Sequence, residues 1–172
     1  MRHKNGFSLL ELLVTLAVAS IILTAGIPSF RGVIMDNRLA SDANQFVASA
    51  SVARSSAVRF QRNAMVCTSA NFDAAVPTCS ASTDWSNGWI VWVDKDRDAV
   101  TDANEIVSVQ APLNDTITFT STTADRFAYD ARGFGLSGAD ALTLCDDRTG
   151  ETGRVVSINT VGRTNVSPQP CS

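Results

Sequence analysis

The sequence lacks most of the side chains and motifs on which enzymes depend. Its 172 residues include a single histidine, His3, which excludes almost every histidine-based catalytic or metal site. It has no GxSxG motif. Charged residues make up only 18% of the chain against 45% hydrophobic residues, so the protein is not a disordered acidic or basic tail. The length of 172 residues is that of one folded domain. The absences predict that this domain has neither enzymatic activity nor a cofactor.

No two of the cysteines form a CxxC pair, which argues against a four-thiolate zinc site. The four are Cys67, Cys79, Cys145 and Cys171. Their even number fits two disulfides in an oxidising compartment. Three pairings are possible, and we favour the two between nearest neighbours, Cys67–Cys79 and Cys145–Cys171. The second would tie down the C-terminal tail, where Pro168 and Pro170 predict extended chain rather than a core strand.

The most informative feature is a long apolar run near the N-terminus. A short basic head at residues 1–6 precedes 21 residues, 7–27, whose only charge is that of Glu11. As a helix this run is about 31 Å long, close to the thickness of a bilayer core. A basic head favours a cytoplasmic N-terminus. The sequence therefore predicts a single membrane span at residues 7–29, with the remaining chain on the side where disulfides form.

Three interpretations of this segment compete. The first is a secretory signal peptide cut after residues 17–19 (Ala-Val-Ala), and the second is an uncleaved signal anchor. The third is a leader peptide that is cut at the junction between Gly6 and Phe7. Residues 4–13, Lys-Asn-Gly-Phe-Ser-Leu-Leu-Glu-Leu-Leu, resemble the type III leader of type IV pilins and pseudopilins. In that family a prepilin peptidase cuts after the glycine, and the new N-terminal residue is N-methylated. The resemblance therefore implies a leader at residues 1–6 and a mature chain that begins at methylated Phe7.

Glu11 supports the pilin-like interpretation on physical grounds. A carboxylate within an apolar helix is costly to insert into a membrane, and a cleaved signal peptide gains nothing from it. In a subunit that packs against copies of itself, a neighbour's N-terminal amine can neutralise the charge. The resemblance implies this assembly role for Glu11. The alternative is a glutamate close enough to the membrane surface to stay hydrated.

The next segment, residues 30–62, has the periodicity of an amphipathic helix. Its apolar positions recur at 4-3-4-3-4 spacing: Leu39, Ala43, Phe46, Ala50, Ala53 and Ala57. We predict one helix from about residue 8 to residue 62, bent near Pro28, where many pilins also carry a helix-kinking proline. Two helices joined by a linker at Pro28 are the alternative.

Residues 63–172 predict a β-rich domain. Short β-like runs between turn clusters occur at residues 64–68, 88–93, 105–109, 116–120, 126–129, 141–145, 154–158 and 162–166. Together they predict an α+β fold, in which the long N-terminal helix packs on a C-terminal antiparallel sheet or sandwich. Trp89 and Trp92 should point to opposite faces of one strand, with one in the core and the other at an edge or interface.

Three segments of this domain, residues 87–94, 129–133 and 153–156, look like those of GspH/FimT-type minor pilins, which include FimU-like proteins. The resemblance implies a minor pilin of a type IV pilus or, as the alternative, the H pseudopilin of type II secretion. Its implied partners are other pilins or pseudopilins, the prepilin peptidase and the inner-membrane assembly platform. The implied location is the bacterial inner membrane, with one span and a periplasmic C-terminal domain, and then the assembled filament.

An acidic stretch between the second and third predicted strands has the spacing of an EF-hand loop. Positions 1, 3, 5, 9 and 12 are Asp94, Asp96, Asp98, Asp102 and Glu105. However, the sixth position is Ala99 instead of glycine, and a predicted strand, not a helix, precedes the loop. A hairpin turn rich in aspartate explains the same residues and is favoured, with a calcium site as the alternative.

Arg148, Arg154 and Arg163 are the candidate DNA contacts. FimT-like proteins of some naturally competent bacteria bind DNA through a C-terminal Gly-Arg-x-Arg motif, and Arg163 lies in a similar stretch in which Asn165 replaces the second arginine. Beyond residue 62 there are 7 basic and 14 acidic residues, a balance of −7. Because phosphate binding needs clustered positive charge, the sequence argues against DNA as a partner and favours structural ion pairs. A minor pilin that binds DNA during DNA uptake is the second alternative function.

Overall fold

The computed structural model describes residues 7–150 and 152–171, and for residues 25–29 it describes the helical backbone without side chains. The described chain forms one long helix followed by strands. These are α1 Leu9–Phe60, β1 Ala64–Thr68, β2 Trp89–Val93, β3 Ile106–Gln110, β4 Thr118–Ser121, β5 Arg126–Tyr129, β6 Asp140–Cys145, β7 Thr152–Ile158 and β8 Thr164–Pro170. The chain divides into two compact units, Met1–Asn37 and Arg38–Ser172, and α1 contributes residues to both.

Helix α1 begins at a serine cap. The backbone N–H of Glu11 donates to Ser8 Oγ at 3.2 Å, which satisfies one of the free amides of the first turn. Serine followed three residues later by glutamate is the sequence signature of such a start. The helix ends at Phe60, and Gln61 follows with a positive φ of 55°. The observed bounds agree with the single helix predicted for residues 8–62.

The C-terminal part of α1 buries the predicted apolar face. All six side chains of that face are at most 1% exposed: Leu39, Ala43, Phe46, Ala50, Ala53 and Ala57. Four of the six are alanines, whose short side chains allow close packing. Phe46 inserts into an aromatic cluster, with ring centroids 5.2–6.0 Å from those of Trp85, Trp89, Phe119 and Phe127. This cluster is the centre of the hydrophobic core of the second unit.

The strands form two antiparallel four-stranded sheets, in the orders β3-β2-β1-β5 and β4-β6-β7-β8. Both sheets supply residues to the core that the helix covers, so the predicted α+β fold is confirmed. Every predicted strand is present and starts within two residues of the expected position. The last strand is longer than predicted because it includes Pro168 and Pro170. Both prolines are tolerated there because β8 is an edge strand. A missing N–H on its outer side leaves no carbonyl of another strand without a hydrogen bond.

Trp89 and Trp92 lie on opposite faces of β2, as their spacing predicts, but the expectation that one would be at an edge or interface is wrong. Trp89 is fully buried against α1, and Trp92 is 3% exposed on the other face. There it packs with Cys67 and Ile90 in a second, smaller core. Its indole Nε1 donates to Cys79 Sγ at 3.2 Å. The connection between β1 and β2 covers this face, which local periodicity does not predict.

Two disulfides are present, and they are the pairings that the sequence favours. Cys67–Cys79 closes the start of the β1–β2 connection. Cys145–Cys171 joins the end of β6 to the residue that follows β8, so it spans the intervening strand β7. Each is expected to add about 2–4 kcal/mol of stability by restricting the unfolded chain.

Candidate functional site

The N-terminal segment, residues 7–34, carries many large apolar side chains that stay exposed in the described part of the chain. Its described large apolar side chains are all at least half exposed: Phe7, Leu9, Leu10, Leu12, Leu13, Val14, Leu16, Val18, Ile21, Ile22, Leu23, Phe30, Val33 and Ile34. A continuous apolar surface of this length marks a site of contact with a membrane or with other chains. Glu11 is also exposed and is the only acidic residue of the segment.

Parts of the predicted leader and span lie outside the described residues. Gly6 and the rest of residues 1–6 belong to this part, as does the side chain of Pro28. Backbone helix continues through residues 25–29, so no linker divides α1, whereas the bend at Pro28 stays a prediction. Over the described residues, no helix contains a stretch both long and apolar enough to qualify as a membrane span.

The acidic stretch forms the loop between β2 and β3. One carboxylate oxygen from each of Asp94, Asp96 and Asp98 lies within 4.8 Å of the other two. Each aspartate also accepts a backbone N–H of the loop, so the predicted turn-forming role is present in the geometry. Asp102 is exposed and does not belong to this group. Glu105 does not belong to it either, but it is 1% exposed.

The candidate DNA-binding arginines do not form a cluster. Arg148 precedes β7 and Arg163 follows it, and this strand is about 20 Å long. Arg148 forms an ion pair with Asp146 at 2.7 Å, and its hydrogen bonds lower the pKa of that carboxyl group. Arg154 donates to the carbonyl of Gly153 at 3.0 Å. The favoured role in structural interactions therefore fits Arg148 and Arg154 better than phosphate binding does.

Arg163 is exposed in the β7–β8 turn and shares a pocket with a residue that the sequence analysis did not select. Arg54 of α1 and Arg163 both line this pocket, together with Tyr129 and Gly162. The two arginines are more than a hundred residues apart in sequence. No local pattern connects them, so only the packing of α1 against the second sheet could reveal the pair.

Comparison with known proteins adds three findings. Residues 42–162 match the family described as type II transport protein GspH, and residues 1–27 match the prokaryotic N-terminal methylation motif. No curated protein matches the chain. Two crystal structures of the type IV minor pilin FimU of Pseudomonas aeruginosa share the fold. They are 21% and 19% identical to the chain, with TM-scores of 0.59 and 0.57; the alignments cover 79% and 77% of this chain and 94% and 96% of FimU.

The combination of a methylated N-terminal helix motif with this α+β domain is that of type IV pilins and pseudopilins, which are structural proteins rather than enzymes. Because the family model covers most of its length, the chain belongs to the GspH family.

Proposed function

We propose that this protein is a minor pilin of a type IV pilus, a structural subunit of the filament or of its priming or tip complex. The observation that carries the proposal is the N-terminal segment, whose apolar side chains find no partners within the described chain. A bilayer covers these side chains before assembly, and the corresponding helices of neighbouring subunits cover them afterwards. The same surface therefore anchors the protein in the inner membrane and later holds it in the filament.

Processing and assembly involve adjacent positions. The prepilin peptidase removes residues 1–6, and the new amine of Phe7 is methylated. Glu11 lies one helical turn further on, in a segment with no other acid, so its carboxylate is the group available to bind the N-terminal amine of a neighbouring subunit. In hydrocarbon the unpaired carboxylate is unfavourable, and pairing during assembly removes that penalty.

A single carboxylate variant tests this role. Glu11→Gln retains size and hydrogen bonding but removes the charge, so the variant should be processed and remain in membranes yet be depleted at least tenfold from sheared filaments. Immunoblots of the membrane and sheared fractions of the native host measure this. Asp147→Asn, which removes an exposed carboxylate from the second unit, is the matched control and should assemble normally. Normal recovery of Glu11→Gln in filaments would refute the assembly role.

A second candidate function, the H pseudopilin of a type II secretion system, is favoured by the description of the family. The two functions use the same processing and helix packing but serve different machines. Deletion of the gene distinguishes them. Loss of surface pili with normal protein secretion supports the minor pilin, and the opposite phenotype supports the pseudopilin.

A further inference from the structure

We propose that the β2–β3 loop, residues 94–105, is a calcium-binding site. The carboxylates of its first three acidic residues lie close together. The oxygens of Asp94, Asp96 and Asp98 lie within 4.8 Å of one another. Ca²⁺ binds oxygen at about 2.5 Å, so two ligands of one ion can be about 5 Å apart. The observed spacing is therefore compatible with a common ion.

The cationic side chains around these carboxylates include Arg62 and Arg97, which line a pocket together with Asp94. Over the described residues, none of the three forms an ion pair with a lysine or arginine. The nearest lysine in sequence, Lys95, lies with its ammonium group 5.0 Å from the ring centroid of Phe60 and donates to the carbonyl of Asn104. Three close carboxylates repel one another in this state, and a divalent cation between them would remove the repulsion.

Glu105 supplies an independent observation that points to a ligand. It is 1% exposed, and its Oε1 accepts the backbone N–H of Lys95 at 2.5 Å. Because Lys95 lies between Asp94 and Asp96, this bond holds the Glu105 carboxylate against the first turn of the loop. The second oxygen, Oε2, is buried and has no hydrogen-bond partner among the described residues. A buried carboxylate oxygen without a partner is unfavourable, and a bound cation would satisfy it.

The positions of these groups along the loop match what calcium requires. Glu105 is twelfth when Asp94 is counted first, and the twelfth position supplies the bidentate glutamate of a calcium loop. Val100 occupies the seventh position, which supplies a backbone carbonyl ligand in a calcium loop. All of these donors are hard oxygens, and the stretch carries five acidic and two basic residues. That donor set suits Ca²⁺ better than a transition metal, which prefers nitrogen or sulfur.

The sixth position of the loop is Ala99 instead of glycine, but the backbone of Ala99 adopts the conformation that this position needs. The sixth position of a calcium loop requires a left-handed turn, which is why glycine is usual there. Ala99 adopts this conformation with φ of 60°, and Arg97 does so with φ of 71°. The loop thus forms the required turn despite the side chain. The strands β2 and β3 hold its ends in place of the two helices of an EF-hand.

Titration of the full chain in mild detergent, after treatment with EDTA, tests the site with CaCl2 as the probe. Isothermal titration calorimetry should find one ion per chain with a Kd of about 0.1–1 mM, the range of extracellular calcium modules. Thermal unfolding followed by circular dichroism should show a Tm that rises by about 5–10 °C at a hundredfold excess over Kd. MgCl2 at the same concentration should raise it less.

Two loop variants and one control make the result specific. Asp96→Asn, an exposed position, should fold normally and lose both the heat of binding and the Tm shift. Glu105→Gln should also lose the calcium response, while Asp147→Asn, in the connection between β6 and β7, should retain it. No saturable binding up to about 10 mM calcium, well above the weakest natural modules, would overturn the proposal. An undiminished response in Asp96→Asn would overturn it equally.

Discussion

At the scale of single residues, Gly153 explains why one of the family-like segments has its sequence. This glycine lies on β7, between the two strands that the Cys145–Cys171 disulfide connects. A Cβ atom at this position would lie 2.3 Å from the carbonyl oxygen of Leu144 and 2.5 Å from Cys171 Sγ. The disulfide can therefore cross the middle strand only where no side chain is present.

We predict that Gly153→Ala destabilises the fold by about 1–3 kcal/mol, the usual cost of overpacking. Thermal or urea unfolding of the full chain in detergent measures this, and incomplete closure of the disulfide should appear as free thiol. Gly138→Ala is the matched control because a Cβ there meets no atom within 4 Å. Equal stability of the two variants would contradict the steric explanation.

At the scale of elements, helix α1 has two different surfaces along its length. Its C-terminal part buries a face rich in alanine against the sheets, with Phe46 as the one large aromatic side chain. Its N-terminal segment instead exposes every described large apolar side chain. Periodicity predicted the first surface well, because burial on one face repeats every three or four residues. The unbroken apolar run predicted the second.

Truncation of Phe46 should separate core packing from surface effects on the same helix. We predict that Phe46→Ala lowers the free energy of unfolding by about 3–5 kcal/mol, because four aromatic neighbours lose their contacts with the ring. Val52→Ala, at a position 36% exposed, should change it by no more than about 0.5 kcal/mol. Comparable losses in the two variants would show that the aromatic cluster is not the centre of the core.

At the scale of the whole molecule, local sequence patterns predicted the elements but not their arrangement. Over the described residues, the helix and the strands follow from periodicity and turn residues, and both disulfides are the favoured pairings of cysteines nearest in sequence. The strand order β3-β2-β1-β5 does not, because strand pairing joins residues that are distant in sequence. The burial of Trp92 beneath the β1–β2 connection and the shared pocket of Arg54 and Arg163 were also not predictable, because both join residues that are distant in sequence.

For the candidate sites, too, local patterns were predictable from the sequence, whereas contacts between distant residues were not. The acidic spacing identified the loop, but the buried, unpartnered oxygen of Glu105 became visible only in three dimensions. Conversely, the junction at Gly6 and Phe7 was recognisable from adjacent residues alone and agrees with the N-terminal methylation motif that matches residues 1–27.

The mass of the mature N-terminus tests most directly whether this chain is processed as a pilin. The protein is extracted from membranes of its native host, and its N-terminal peptide is analysed by mass spectrometry. We predict a chain that begins at Phe7 and carries one N-terminal methyl group. A chain that begins at Ser20, as an ordinary signal peptide would leave it, or one that retains residues 1–6, would contradict the proposed processing and assembly.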